Sequence, residues 1–176
     1  MGMLTNGRID IAAPAAEVFA WLVEPAKLTA WLGASGGMPE DTSQLRAGWT
    51  STTDSPPLGK VTVEVLAFDP PTHLELRQTY TGGDAISTYR LTEGDGVTTL
   101  TLEGDTDWAR PEGAWDAAID SALAGQPEEV REAAEAQLDQ VEDRLEAGGF
   151  DSLAQGQMQQ ALESSLQKLK ALIEAA

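Results

Sequence analysis

The chain has 176 residues, a length that suits one domain with a core of its own. It contains no cysteine, which excludes a disulfide framework and thiolate metal sites. Asp and Glu number 29 against 11 Lys and Arg, and the net charge is −18. Phosphate binding needs clustered cations, and because no basic patch exists we exclude DNA, RNA and anionic membrane surfaces as main partners.

Hydropathy and the N-terminal residues predict a cytoplasmic protein without membrane insertion. No apolar run approaches the roughly 18 residues that span a bilayer, and the N-terminus lacks the basic and apolar regions of a signal peptide. Scarce lysine with abundant acid is typical of salt-adapted proteins, in which salt screens the repulsion between carboxylates. An acidic surface that only maintains solubility is the alternative.

The N-terminal residues predict a short strand followed by two short helices. Residues 9–11 alternate as a strand, and Pro14 with Glu17 favours the start of a helix directly after it. Pro25 ends this helix because the residue before a proline disfavours helical backbone. A second helix is predicted over residues 26–32, and Gly33 is a natural stop.

The middle of the chain predicts five strands joined by short turns. Alternating apolar residues and turn clusters place these strands at 45–53, 59–68, 73–80, 86–92 and 97–103. Because short turns join neighbouring strands, we predict an antiparallel meander.

The remainder of the chain has a helical pattern. Helices are predicted between Trp115 and Leu145, with an acidic outer face, and the strongest periodicity lies over residues 153–176. The apolar stripe of that last helix consists of Met158, Leu162, Leu166, Leu169, Leu172 and Ile173. A sheet with one apolar face needs a cover, so we predict an α+β fold in which the sheet curves around this helix.

A series of short motifs occurs in a fixed order along the chain. They are Ala13-Pro14, Val18-Phe19 and Leu22, then Pro25, Leu28, Trp31, Leu32 and Gly33, and further on residues 45–49, 59–61, 69–74 and 94–96. This order resembles the START-like superfamily, also called the polyketide cyclase/dehydrase and lipid-transport superfamily. Within it, the chain is most similar to the branch related to the activator of Hsp90 ATPase.

The resemblance implies a helix-grip fold, in which a seven-stranded type of antiparallel sheet grips the C-terminal helix, often around an apolar cavity. It implies one domain over residues 1–176, with a helical insertion at about 108–149 and the grip helix at about 151–175. It implies no shared catalytic set and no cofactor.

The candidate ligand-binding residues are polar or adaptable side chains expected on the inner surface. Period two sends Gln78 and Tyr80 to the same face as the apolar residues of their strand, and Tyr89 to the inner face of the next strand. The full set is Trp31, Trp49, Gln78, Tyr80, Tyr89 and Met158. The alternative is that the polar members bond water or backbone at the sheet rim, and that the others pack in the core.

Residue counts disfavour other chemistries. His73 is the one histidine, and nothing beside it marks a nucleophile or a metal site. Asp105-Thr106-Asp107 is predicted to be a solvated loop rather than a cation site. We therefore assign no catalytic residues and no metal ligands.

Three functional hypotheses remain. The first is binding of a small apolar or amphipathic molecule between the sheet and the terminal helix. The second is a co-chaperone-like or self-associating domain. It would bind a protein partner, or a second copy of itself as a homodimer, through the helices at 115–145. The third is a cyclase or hydrolase that uses Tyr80, Tyr89 or Gln78 as acid or orienting groups.

Overall fold

The computed structural model describes residues 2–55, 59–80, 83–108 and 150–176. Within these ranges one antiparallel sheet has the strand order β1-β6-β5-β4-β3-β2. The strands are β1 (Gly2–Ile11), β2 (Thr50–Ser55), β3 (Gly59–Asp69), β4 (His73–Tyr80), β5 (Gly83–Gly94) and β6 (Val97–Trp108). The helices are α1 (Ala15–Val23), α2 (Pro25–Leu32) and the C-terminal α3 (Phe150–Glu174), with a short 3₁₀ turn at Thr42–Gln44.

This arrangement confirms the predicted α+β helix-grip fold. The described residues contain six strands, one fewer than the seven-stranded type that the resemblance implies. The helices predicted between Trp115 and Leu145, and with them the insertion and its interface, lie outside the described residues. The division of the chain into a single domain therefore stays a prediction.

The first and last strands in chain order, β1 and β6, are longer than the sequence predicts. β1 and β6 pair over ten residues, from Gly2 opposite Asp107 to Ile11 opposite Thr98. The prediction of a solvated loop at 105–107 is wrong, because this pairing extends β6 through those residues. Thr106 is buried there, and the aspartates on either side are exposed.

The second strand begins later than predicted. Residues 45–49 form a turn in which the Trp49 N–H donates to the Arg46 carbonyl, and Gly48 adopts a φ of +85°. The first regular pair of β2 joins Thr50 to Glu64. The left-handed φ of Gly48 explains why the chain cannot continue as a regular strand here.

Both N-terminal helices form where the sequence places them. The Ala15 N–H at the start of α1 donates to Glu93 Oε2 at 2.8 Å, so a carboxylate from β5 satisfies one of the free donors of the helix. α2 ends at Gly33, whose φ of 82° is the left-handed conformation common at helix ends.

α3 lies along β1 and closes the core. Leu166, Leu169 and Ile173 are buried, and Leu162 and Leu172 pack against the core from its edge. These residues belong to the stripe that the sequence predicts. The sheet contributes Ile9, Ile11, Val63, Val65, Leu74, Leu76, Leu91, Leu100 and Leu102 to the same core. Among the described helices, none is long and apolar enough to cross a membrane.

Candidate functional site

The inner face of the sheet changes character along its strands. Leu74 and Leu76 on β4 are 0% and 7% exposed, whereas Gln78 and Tyr80 on the same face are half-buried. The strand register agrees that Gln78 faces inward, because it lies opposite the fully buried Val63 of β3. One end of the face is therefore closed apolar core, and the other keeps polar groups partly accessible.

Tyr89 lies on the apolar part of this face. In register it stands between Leu74 of β4 and Leu102 of β6, both of which are buried. Burial raises the pKa of Tyr89 to about 12, and a hydrogen bond with the Ser87 side chain partly opposes that change. Near neutral pH this phenol is protonated, so its hydroxyl can donate a hydrogen bond.

Tyr80 is further along β4 in a more polar environment. Burial raises the pKa of Tyr80, and the nearby carboxylates of Asp84 and Asp107 raise it further. Tyr80 is therefore also a neutral hydrogen-bonding group near neutral pH. Both tyrosines can orient an oxygen atom of a ligand, and neither is poised to act as a base.

Small and hydroxyl-bearing residues complete this end of the inner face. Ser87 lies between Leu76 and Gly104 in register, and Ala85 lies between Gln78 and Thr106. Ser87, Gly104, Ala85 and Thr106 were not among the candidates. The period-two pattern of β6 could have indicated Gly104 and Thr106, since they continue the alternation of Leu100 and Leu102.

The three remaining candidates occupy different places. Trp31 is 3% exposed, and its Nε1–H donates to the Ser165 carbonyl of α3 at 2.8 Å, so it joins α2 to α3 within the core. Trp49 is half-buried just before β2 and packs against the core. Met158 is half-buried on α3. The structure thus brings Gln78, Tyr80 and Tyr89 onto one face, and it places Trp31 in the helix interface.

His73 is separated from these residues. It alternates with Leu74, so it lies on the outer face of β4. Its imidazole nitrogens are 3.9 Å from Asp69 and 3.9 Å from Glu75. Across the described ranges, no group of three or more His, Cys, Asp or Glu side chains is arranged to hold a metal ion.

Comparison with known proteins gives one family match and many similar folds. The family described as polyketide cyclase / dehydrase and lipid transport matches residues 5–146. The fold is similar to the crystal structure of protein MLL2253 from Mesorhizobium loti, with a TM-score of 0.57 and 15% identity over 98% of each chain. Protein CV1439 from Chromobacterium violaceum gives a TM-score of 0.55 and 17% identity, over 98% of this chain and 97% of that one. No curated protein matches the chain.

Proposed function

Because the chain belongs to the polyketide cyclase/dehydrase and lipid transport family, we propose that it binds a small apolar or amphipathic ligand between the inner face of the sheet and α3. The apolar part of the ligand packs beside Leu76 and Leu102. Its polar end meets Gln78 and Tyr80, and the hydroxyl of Tyr89, which lies opposite Leu102, contacts the ligand further along the face. On the ordered series of motifs, the branch related to the activator of Hsp90 ATPase stays our prediction for the subgroup.

The observation that carries the proposal is the change along the inner face. Bulky residues close one end completely, and the other end combines half-buried polar groups with the small Ala85, Ser87 and Gly104. Ligand sites are typically apolar surfaces with a few convergent polar groups that fix orientation. This end of the face has that composition.

The ionisation of the tyrosines indicates the kind of polar end. A neutral phenol donates a hydrogen bond to a carbonyl or hydroxyl oxygen. An anionic ligand would be repelled by a chain of net charge −18. We therefore expect a neutral oxygen-bearing ligand rather than a fatty-acid anion.

Native mass spectrometry of the purified protein tests the proposal. We expect a small molecule bound in stoichiometric amount. Organic extraction should remove it, and adding it back to the protein should restore the mass of the complex. Ligand added at about a hundredfold its dissociation constant should raise the free energy of unfolding by about 2.7 kcal/mol. The free energy of unfolding at moderate and at high salt tests salt adaptation separately, since screening should stabilise an acidic salt-adapted protein. An empty protein that no extracted lipid or polyketide stabilises would refute the proposal.

A blocking variant locates the site. Ala85→Leu adds three carbon atoms between Gln78 and Thr106 on the inner face. We expect its ligand affinity to fall at least about tenfold, equivalent to about 1.4 kcal/mol. The matched control is Ala30→Leu, the same change at an exposed position of α2. Unchanged affinity in a folded Ala85→Leu protein would place the ligand elsewhere.

A further inference from the structure

The outer edge of β1 has backbone groups that no strand pairs. In an antiparallel pair, alternate residues turn both the N–H and the C=O away from the partner strand. On β1 the even-numbered residues do so, because the Asn6 N–H and C=O both bond to α3 although Asn6 lies opposite Glu103 of β6. The backbone groups of Arg8 point outward by the same alternation.

Side chains of α3 cap this edge on both sides of Arg8. Each cap takes the place of a hydrogen bond that a neighbouring strand would make. The caps are Gln155 Nε2 to the Leu4 carbonyl (3.2 Å), Gln159 Oε1 and Nε2 with the Asn6 N–H (3.2 Å) and carbonyl (2.7 Å), Lys170 Nζ to the Asp10 carbonyl (2.7 Å), and Glu174 Oε1 with the Ala12 N–H (2.9 Å).

The series of caps is interrupted at Arg8. No described residue forms a hydrogen bond with the outward N–H or C=O of Arg8. An open groove of ≈ 860 Å³ lies at this point, between β1 and α3. Besides Arg8, its polar lining includes Gln160, Glu163, Ser164 and Gln167.

The side chain that α3 presents at this level explains why the position is left open. Four helical residues rise about 6.0 Å and two strand residues about 6.7 Å, so the residue after Gln159 at the level of Arg8 is Glu163. Glu163 Oε1 instead accepts a hydrogen bond from Gln159 Nε2 at 3.0 Å. A carboxylate also has no hydrogen to donate to the Arg8 carbonyl, so Glu163 cannot cap both groups.

We propose that this groove binds a short zwitterionic peptide of three or more residues, one of whose inner residues forms a one-residue β-bridge with Arg8 through its own N–H and C=O. The lining supplies one charge of each sign, since the Arg8 guanidinium suits the peptide carboxylate and Glu163 suits its ammonium group. The volume lies within the range typical of small-molecule sites. The site is on the outer edge of β1 and is independent of the inner-face ligand site.

Peptide titration followed by amide NMR tests the bridge. Triglycine added to the ¹⁵N-labelled protein should shift the Arg8 amide resonance in a saturable way. Glycyl-sarcosyl-glycine has the same charges, but its central residue is methylated on nitrogen and has no N–H, so it should bind about two- to tenfold more weakly. An Arg8 resonance that does not move, or equal affinity for the two peptides, would overturn the proposal.

Two further measurements use the protein itself. Glu163→Gln should weaken triglycine binding by about two- to fivefold, because it removes the partner of the ammonium group and supplies a carboxamide that can cap Arg8 as Gln159 caps Asn6. Glu40→Gln, an equal change of charge at an exposed residue outside the groove, should leave binding unchanged. In the free protein, the Arg8 amide should exchange with solvent faster than the capped Asn6 amide. Equal protection of the two amides would mean that a side chain closes the gap, and it would refute the site.

Discussion

α3 approaches β1 closely at Gly7, and Gly7→Ala is a direct test of how the helix is held. A Cβ atom at Gly7 would stand 2.5 Å from Leu166 Cδ1 and 3.4 Å from Leu162 Cδ2. Leu166 is 2% exposed, so its side chain cannot move aside without disturbing the core. We therefore expect Gly7→Ala to push α3 away from the sheet.

The net magnitude follows from two opposing effects. Overpacking of a core contact typically costs about 1–3 kcal/mol. Replacing glycine with alanine returns about 0.4–1 kcal/mol by restricting the unfolded chain. We expect urea denaturation to show a loss of about 1–2 kcal/mol in the free energy of unfolding. The control is Gly94→Ala in β5, where a Cβ would meet nothing within 4 Å, and it should be neutral or slightly stabilising.

A double-mutant cycle separates the contact from other effects of alanine. Leu166→Val shortens the side chain that carries the clashing methyl group and alone should cost about 1 kcal/mol. In the double variant with Gly7→Ala, the clash is relieved, so the combined cost should be smaller than the sum by about 1 kcal/mol. If the two costs add within about 0.5 kcal/mol, or if Gly7→Ala matches Gly94→Ala, the close approach does not determine stability.

Three other predictions concern buried polar groups. Thr98→Val removes the hydroxyl that donates to the Ala13 carbonyl at 2.7 Å in a fully buried site, and it should lower the free energy of unfolding by about 1–3 kcal/mol in urea titration; an unchanged midpoint would contradict this. Trp31→Phe keeps an aromatic ring but leaves the Ser165 carbonyl without its donor, so a loss of about 1–3 kcal/mol is expected, and a loss below about 0.5 kcal/mol would mean that packing alone matters. Because the pKa of Tyr89 is raised to about 12, the folded protein retains a proton that the unfolded chain loses above about pH 10. The contribution of Tyr89 to stability should therefore fall by at most about 2.7 kcal/mol as the pH rises from about 10 to about 12. Tyr89→Phe should make the total fall smaller by that amount, and the raised pKa of Tyr80 leaves a contribution of its own.

Local signals in the sequence were sufficient for most of the elements. The start of α1 after Pro14 and the stop of α2 at Gly33 depend on backbone preferences of single residues, and both are confirmed. The buried stripe of α3 follows from helical periodicity, and Gln78 and Tyr80 share the inner face because side chains alternate along a strand. None of these predictions required knowledge of a distant contact.

Apart from the late start of β2, which the local conformation of Gly48 explains, the errors fell where pairing between strands decides the structure. β6 continues through residues 105–107 because it pairs there with β5 on one side and with β1, about a hundred residues earlier in the chain, on the other. The polar sequence of that stretch is typical of a loop, and tertiary pairing overrides it. The small residues beside the candidate site were missed for the same reason, since Ser87 meets Leu76 and Gly104 only through the register of three strands.

The glutamines of α3 show most clearly what a periodic pattern leaves undetermined. Gln155 and Gln159 fall outside the apolar stripe, which is equally typical of residues that face solvent and of residues that bond to a strand edge. In the structure their carboxamides take the place of a neighbouring strand along β1, and Lys170 and Glu174 continue that role further on. One helix thus closes the core with its apolar stripe and protects the sheet edge with its polar residues. The series stops at Arg8 because the residue of α3 at its level is Glu163, whose carboxylate accepts from Gln159 and has no hydrogen to donate to the Arg8 carbonyl.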